Sequence, residues 1–289
     1  MISPTDPTPL DRLSAILDRF RVRASLFHAG ALCGVTHFDA RPGRAFLHVL
    51  RDGQLEVRHK ARSGAPRRLV VTEPTLLFYP RPLEHDFHNP PREGADFVCA
   101  TLDFEGGAAH PLIQALPAVI VLPLRAVDGL QATLELLFAE TVRVRCGQRL
   151  LADRLFEVLV LQLLRWLVDH PEQAEVPPGL LLGLGHPRLA RALTAVHERP
   201  GDDWSLAAMA QVAGMSRSAF AEAFKAQVGC PPATYLLQWR VSVAQSMLRQ
   251  GRSVKEAAEA LGYASAASFS RAFAQQAGHA PTAWRQAQA

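Results

Sequence analysis

One spaced pattern is written twice in the last third of this 289-residue chain. The first copy reads Ala210, Gly214, Met215, Phe220, Phe224, Gly229, Pro232, and the second reads Ala258, Gly262, Tyr263, Phe269, Phe273, Gly278, Pro281. The two differ by a single residue gained before the first phenylalanine of the second copy. Each position has a physical role. A small alanine lets two helices cross closely, and a glycine supplies the positive φ of a tight turn. Two phenylalanines four apart place both rings on one face of the second helix, pinning it while the opposite face stays free. Gly followed by Pro then ends that helix. A helix held this way with polar residues outward is how a protein presents side chains to a major groove, so two such units in tandem imply a chain that grips duplex DNA.

Charge follows the same division. The chain carries 31 Lys and Arg against 27 Asp and Glu, a net +4. From Pro187 onward there are 11 basic against 6 acidic residues, whereas the first 186 residues hold 20 against 21. The basic excess therefore lies in the segment with the repeated pattern, as phosphate binding requires. Apolar residues at 48% and charged residues at 20% suit a folded chain long enough for two cores. The opening Met-Ile-Ser-Pro lacks a basic stretch followed by an apolar run, so no signal peptide is expected. The most apolar segment, Leu150 to His170, is interrupted by Asp153, Arg154, Glu157 and Arg165, so no membrane span is expected either. Cys33, Cys99, Cys146 and Cys230 contain no C-x-x-C pair, and neither a zinc ribbon nor a disulfide framework is indicated. A cytoplasmic, nucleoid-associated protein is expected.

Along the chain, Leu10, Leu13, Ile16, Leu17 and Phe20 have helical spacing and predict an amphipathic helix over Pro9–Arg23. From Ala24 to about Leu124, short apolar runs (Phe46–Leu50, Leu69–Val71, Thr75–Tyr79, Phe97–Leu102) alternate with Gly- and Pro-rich breaks, the texture of an all-β sandwich or barrel. Helical periodicity returns over 126–144 and 148–169. Pro171 to Gly185 has linker composition, and the remainder reads as helical. The expected class is α+β in two domains. Residues 1–170 form a cupin-like β-barrel with flanking helices, sensory and dimerising; 171–186 form a linker; 187–289 form an all-α tandem helix-turn-helix domain.

From about Pro187 to Arg285 the sequence resembles the AraC/XylS family of transcriptional regulators. The residues that carry the resemblance are Gly214-Met215-Ser216, Phe224-Lys225, Gly229, Pro232, Tyr235-Leu236, Arg240, Ala244 and Leu248. They continue with Gly262-Tyr263, Phe269-Ser270-Arg271-Ala272-Phe273, Gly278, Pro281 and Trp284-Arg285. The resemblance implies reading helices over Ser216–Gln227 and Ala266–Gln276, held by a long helix Thr234–Arg249 about one DNA turn apart, roughly 34 Å. The side chains implied to face DNA are Arg217, Ser218, Ala221, Glu222 and Lys225 in the first helix, and Ala266, Ala267, Ser270 and Arg271 in the second. Arg217 and Arg271 are the expected direct contacts, and Lys225, Lys255 and Arg285 the expected phosphate contacts, which position without specifying. Glu222 departs from the basic residue usual at its position; it would repel phosphates yet accept a hydrogen bond from a cytosine amino group. Arg240 lies on the long helix, where an internal ion pair competes with DNA contact.

In the N-terminal half, Pro80-x-Pro82-x-x-His85-x-x-x-Asn89 resembles the second cupin motif, and His48 falls near the first. Cupin enzymes hold a metal through several imidazoles and a carboxylate. Here His37, His48, His85 and His88 are present without an H-x-H pair and a suitably spaced Glu, so a barrel without metal or cofactor is expected. His48 and His85 then hydrogen-bond within the barrel or line a pocket for a small ligand. The alternative is a metal-dependent cupin enzyme fused to a DNA-binding domain; otherwise no catalytic constellation is seen.

Cys33-Gly34, Phe97-Val98-Cys99-Ala100, His110-Pro111-Leu112 and Leu116-Pro117 resemble the cupin-containing AraC subfamily that includes the reactive-chlorine-sensing regulator. So do Trp204, Ser216-Arg217-Ser218-Ala219-Phe220 and Trp239-Arg240. That resemblance implies redox sensing by Cys33 and Cys99, against inert packing in an apolar strand run. Leu151, Leu155, Val158, Leu159, Gln162, Leu163 and Trp166 form a largely apolar stripe at helical spacing, widened by Leu161, Leu164 and Leu167. Such a helix is buried on several sides, against the barrel or against its twin in a homodimer, whose interface Leu155, Leu159 and Trp166 would line. The expected partners are double-stranded DNA, a second copy, a small-molecule or oxidant signal, and RNA polymerase if the protein is an activator, with no membrane.

Overall fold

A computed structural model describes residues 10–89, 94–107, 110–114, 116–143 and 145–287. The chain forms two compact units. Arg21–Pro177 make a β unit, and the described residues of Met1–Phe20 and Pro178–Ala289 make a helical unit.

In the β unit the strands are β1 (Val22–Leu32), β2 (Gly34–Phe38), β3 (Arg44–Asp52), β4 (Leu55–His59), β5 (Arg68–Val71), β6 (Thr75–Tyr79), β7 (His85–Asn89), β8 (Ala95–Phe104) and β9 (Ile120–Pro123). They form a five-stranded sheet, order β1-β8-β3-β6-β9, and a four-stranded sheet, order β2-β7-β4-β5. All pairings are antiparallel. The expected barrel is thus two sheets facing each other rather than one closed cylinder. Between them lies a core of Phe38, Phe46, Leu50, Leu55, Val57, Leu77, Tyr79, Phe87, Phe97 and Cys99. Alternate residues of β3, Phe46, His48 and Leu50, are buried, and so are Ala45, Leu47 and Val49 between them, so this strand is covered on both faces. At the β3–β4 turn Gly53 has φ +98°, and a Cβ there would stand 3.0 Å from Ala95, so only glycine fits.

After β8 come α2 (Pro111–Gln114), α3 (Leu130–Val142) and α4 (Gln148–Asp169). One edge of the five-stranded sheet is β1, and α4 runs against it. Asp153 Oδ1 accepts the Leu26 N–H at 2.7 Å and Glu157 Oε1 accepts the Ala24 N–H at 3.3 Å. The acidic residues that interrupt the apolar helix therefore close a strand edge that would otherwise leave backbone donors unpaired.

The helical unit begins with α1 (Ser14–Leu17) and resumes with α5 (Leu180–Gly185), α6 (Pro187–Glu198), α7 (Leu206–Val212), α8 (Arg217–Val228), α9 (Pro232–Arg249), α10 (Val254–Ala260), α11 (Ala266–Ala277) and α12 (Pro281–Gln286). Two expectations are corrected here. The amphipathic helix forecast over Pro9–Arg23 is a single turn, and Val22 already opens β1; Pro9 lies outside the described residues. The span with linker composition contains α5, whose Leu181 and Leu184 are fully buried. The α1 segment belongs with the helices that follow Pro178. Leu13, Ile16 and Phe20 are buried, Phe20 meets the Trp239 ring edge-on at 5.5 Å, and Ser246 Oγ donates to the Arg19 carbonyl at 3.1 Å.

Candidate nucleic-acid interface and sensory core

The doubled sequence pattern is doubled in space. In each copy the residue after the turn glycine donates its backbone N–H to the crossing alanine, Met215 to Ala210 and Tyr263 to Ala258, both at 2.9 Å. Gly214 and Gly262 have φ +63° and +74°. At Gly262 a Cβ would fall 2.0 Å from the Gly201 carbonyl oxygen, so backbone packing as well as the turn demands glycine. Ala210 and Ala258 are buried, as are the ring pairs Phe220–Phe224 (5.4 Å) and Phe269–Phe273 (5.7 Å). The second ring of each pair packs on an aromatic further along the chain, Tyr235 for Phe224 and Trp284 for Phe273. Serine side chains cap α8 and α11 at Ser216 and Ser265, and left-handed Gly229 and Gly278 end them.

With one face pinned, the other face of each helix is left to solvent. On α8, Arg217, Ser218, Glu222 and Lys225 are exposed and Ala221 is half-buried; Ser218 Oγ lies 3.4 Å from the Ser216 hydroxyl. On α11, Ala266, Ala267 and Arg271 are exposed and Ser270 is half-buried. The side chains of Arg217, Lys225 and Arg271 have no ion-pair or hydrogen-bond partner among the described residues. Lys255 instead faces Glu259 at 3.9 Å. Arg240 is engaged internally, although by carbonyls and a ring rather than by a carboxylate. Its guanidinium donates to Pro200 O (2.7 Å) and Asp202 O (2.8 Å) and lies 5.6 Å from the centre of the Tyr263 ring. Holding the two units together is α9, 18 residues and so about 27 Å long.

His48 and His85 meet at the heart of the β unit. Their Nε2 atoms are 3.1 Å apart, and His85 Nδ1 lies 2.8 Å from Leu83 O. A carbonyl only accepts, so His85 carries its proton on Nδ1 and its Nε2 accepts from His48 Nε2–H. His48 Nδ1 then has no partner among the described residues. Burial holds both rings neutral, lowering His48 well below the usual imidazole range and His85 to about 4. Phe38 and Tyr79 stack on the two faces of His85, at 4.8 and 3.9 Å, while Phe27, Phe46 and Phe87 close around His48. A cupin metal needs three or four donors at one point, and no group of three His, Cys, Asp or Glu suited to a metal occurs among the described residues. His37 faces outward between Asp86 and Asp39. The described residues do not fit a cupin metal, and the aromatic shell buries His48 and His85 as a hydrogen-bonded pair.

Cys33 is exposed and Cys99 is buried, its thiol pushed up by burial away from the reactive thiolate. The β1–β8 register sets Leu32 opposite Ala95 and His28 opposite Cys99. Cys33 therefore stands about five residues, roughly 16 Å, along the sheet from Cys99. A disulfide needs α-carbons about 4.4–6.8 Å apart, so this pair cannot close within the fold. The dimer residues drawn from the α4 stripe are also corrected. Leu155, Leu159 and Trp166 are buried within the chain, whereas Leu151, Val158 and Leu161 stand 42%, 40% and 40% exposed.

Two family models match this arrangement, a cupin over residues 11–169 and a helix-turn-helix domain over residues 209–287. An uncharacterized HTH-type transcriptional regulator of Haemophilus influenzae is 30% identical over 264 residues, 83% of this chain and 85% of that relative. The chain belongs to the AraC-type regulators with an N-terminal cupin domain. Within that family, the HTH-type transcriptional regulator AlkR of Acinetobacter baylyi is 33% identical over 181 residues, 61% of this chain and 58% of that one. The RCS-specific HTH-type transcriptional activator RclR of Escherichia coli is 26% identical over 216 residues, 73% of this chain and 75% of that one. The match spans 58–60% of the length of AlkR and of two AraC-like regulators from Streptomyces. Among solved structures, the DNA-binding domain of AdpA in complex with a target DNA is 30% identical over 35% of this chain and 91% of that one, with a TM-score of 0.33.

Proposed function

We propose that this chain is a sequence-specific DNA-binding transcription regulator, acting in the cytoplasm, with α8 and α11 entering successive major grooves of one operator. The observation that carries this reading is the pair of helices pinned by buried phenylalanines, each with an unpaired arginine on its free face. Arg217 and Arg271 are the base-reading candidates. Ala266 and Ala267 suit thymine methyl groups, and Lys225 and Arg285 suit phosphates. Operator affinity should fall steeply with salt, with a log–log slope of about −0.9 for each phosphate contact. Binding that ignores salt would overturn the reading.

The β unit is the sensory half in this proposal, biasing the DNA-binding half by a signal's differential affinity for two states. Of the two signals weighed, a small ligand is better supported than an oxidant acting on a Cys33–Cys99 disulfide, since Cys99 is sealed in the core. The relative RclR is named as RCS-specific, and an oxidant arm of the test is therefore kept. A full hypochlorite response of the promoter that survives Cys33→Ser and Cys99→Ser leaves the ligand reading standing; loss of the response in Cys33→Ser alone would place an oxidant signal on the exposed thiol.

A second copy is the proposed occupant of the exposed face of α4. Leu151, Arg154, Val158, Leu161 and Arg165 are all solvent-facing and alternate at three and four residues, the spacing of a helix-pairing seam. Centred on Val158, the run meets its own copy in antiparallel order, as a two-fold contact requires. Leu161→Glu should give a soluble monomer, and a variant that remains dimeric would remove this assignment.

A further inference from the structure

We propose that the end of the inner sheet face, where β1, β8 and β3 lie side by side, binds a small organic monoanion through Arg23 and Arg44. The proposal rests on the reading of the β unit as a sensory domain and names its ligand class and site. Asp103 of β8 is the register partner of Arg23 on one side and of Arg44 on the other, so all three side chains leave the sheet on one face. Two residues further in, Ser25, Thr101 and Phe46 share that face, and beyond them lie Cys99 and His48. This row therefore continues the core face outward past the last sealed aromatic. A cleft of about 430 Å³ opens there, lined by Arg23, Ser25, Arg44, Thr101 and Asp103 together with the Pro42-Gly43 turn. That volume lies within the range for small-molecule sites, roughly 300–1,000 Å³.

The charge pattern selects the ligand. Neither guanidinium has an ion-pair or hydrogen-bond partner among the described residues, although each stands beside Asp103. Two cations around one carboxylate leave a single positive charge, and a planar monoanion such as a carboxylate both balances it and matches the fork of an arginine. The hydroxyls of Ser25 and Thr101 are placed beside the same space. Beyond the cleft, further along β1, the surface turns apolar. Phe27, at the bulge of β1, is 45% exposed while its ring touches the box of Phe38, Phe46 and His48. A half-exposed phenylalanine four residues along the strand from Arg23, about 13 Å, gives an apolar tail a surface to cover. The mouth of the fold thus reads as a cationic clamp followed by one open ring.

The test is calorimetric titration of the full chain with acetate, butyrate, hexanoate, hexylamine and inorganic phosphate, with operator binding measured on the same preparations. We expect saturable hexanoate binding, acetate weaker by about tenfold as apolar contact is lost, and no binding of hexylamine. Arg23→Gln and Arg44→Gln, both surface substitutions that leave the core intact, should each weaken hexanoate by about tenfold or more. Hexanoate binding that survives both substitutions, or phosphate binding as tightly as hexanoate, would overturn the assignment. So would the absence of saturable binding at millimolar hexanoate in a protein that still binds its operator. A protein that binds no operator at all would instead remove the regulator reading on which the site rests.

Discussion

Arg271 is the lone charged side chain on the exposed face of α11, among Ala266, Ala267 and Ala274, so what the second reading helix can specify depends heavily on it. Arg271→Ala should cost about 1–3 kcal/mol in operator affinity and relax base preference at one position. Equal weakening on every sequence, seen by competition against scrambled DNA, would make it a phosphate contact instead. Glu222 on α8 should act in the opposite sense: Glu222→Gln removes a repulsion and is expected to raise non-specific DNA affinity while blunting discrimination. His197 sets an acid limit on the same unit. It is fully buried, 4.3 Å from the Trp239 ring and 2.5 Å from the Tyr235 hydroxyl, and burial lowers it to about 3. The unfolded chain protonates its histidine near pH 6.5 and the folded one does so only near 3, so stability is full above pH 6.5 and drains as pH falls between those values. At pH 5 the loss from this residue should be about 2 kcal/mol, and His197→Asn should flatten that part of the pH–stability curve.

At the scale of elements, α4 shows how one helix divides its work. Its carboxylates Asp153 and Glu157 cap the β1 edge, its leucines enter the core, and its third face is open. Asp153→Ala should cost about 1–3 kcal/mol by leaving the Leu26 N–H unpaired, read as a lower denaturation midpoint of the β unit. Leu159→Glu should unfold that unit, in contrast to the soluble monomer expected from Leu161→Glu. The two leucines are two residues apart and the periodicity of the sequence could not rank them, because a stripe that nearly encircles the helix does not say which side meets the sheet. The doubled helix-turn-helix was legible for the opposite reason. Its glycines, phenylalanine pairs and serine caps are local requirements, met within a few residues of where they are written. Leu13, Ile16 and Phe20 were readable as a buried face, yet their partners on α6 and α9 are distant in sequence and no local spacing names them. The Cys33–Cys99 pair failed on register, which a list of strands does not contain. Arg23 and Arg44 carried no motif; only the sheet order brings them to either side of Asp103.

For the whole molecule, connectivity matters more than either unit alone. A fragment starting near Gly185 lacks both α5 and the α1 segment, and so leaves Trp239 without Phe20. We expect it to melt at lower temperature than a version beginning at Pro178, and expect a peptide spanning residues 10–20 to raise the melting temperature of either. Phe20→Ala should cost about 3–5 kcal/mol, with the loss appearing in the helical unit rather than in the β unit it precedes.

The hydrogen bond from Ser246 to Arg19 joins residues 227 apart. During synthesis the segment before Arg21 is made first, the entire β unit is completed next, and the helices that receive that segment emerge last. Local sheets and hairpins can close long before this contact is available, so the β unit is expected to acquire protease resistance while the DNA-binding half is still unfinished. A nascent chain stalled after Pro177 should therefore show a protected core and an accessible Phe20, and full protection of Phe20 should wait for the release of α9. Residues 13–20 are synthesised before the β unit and settle after it.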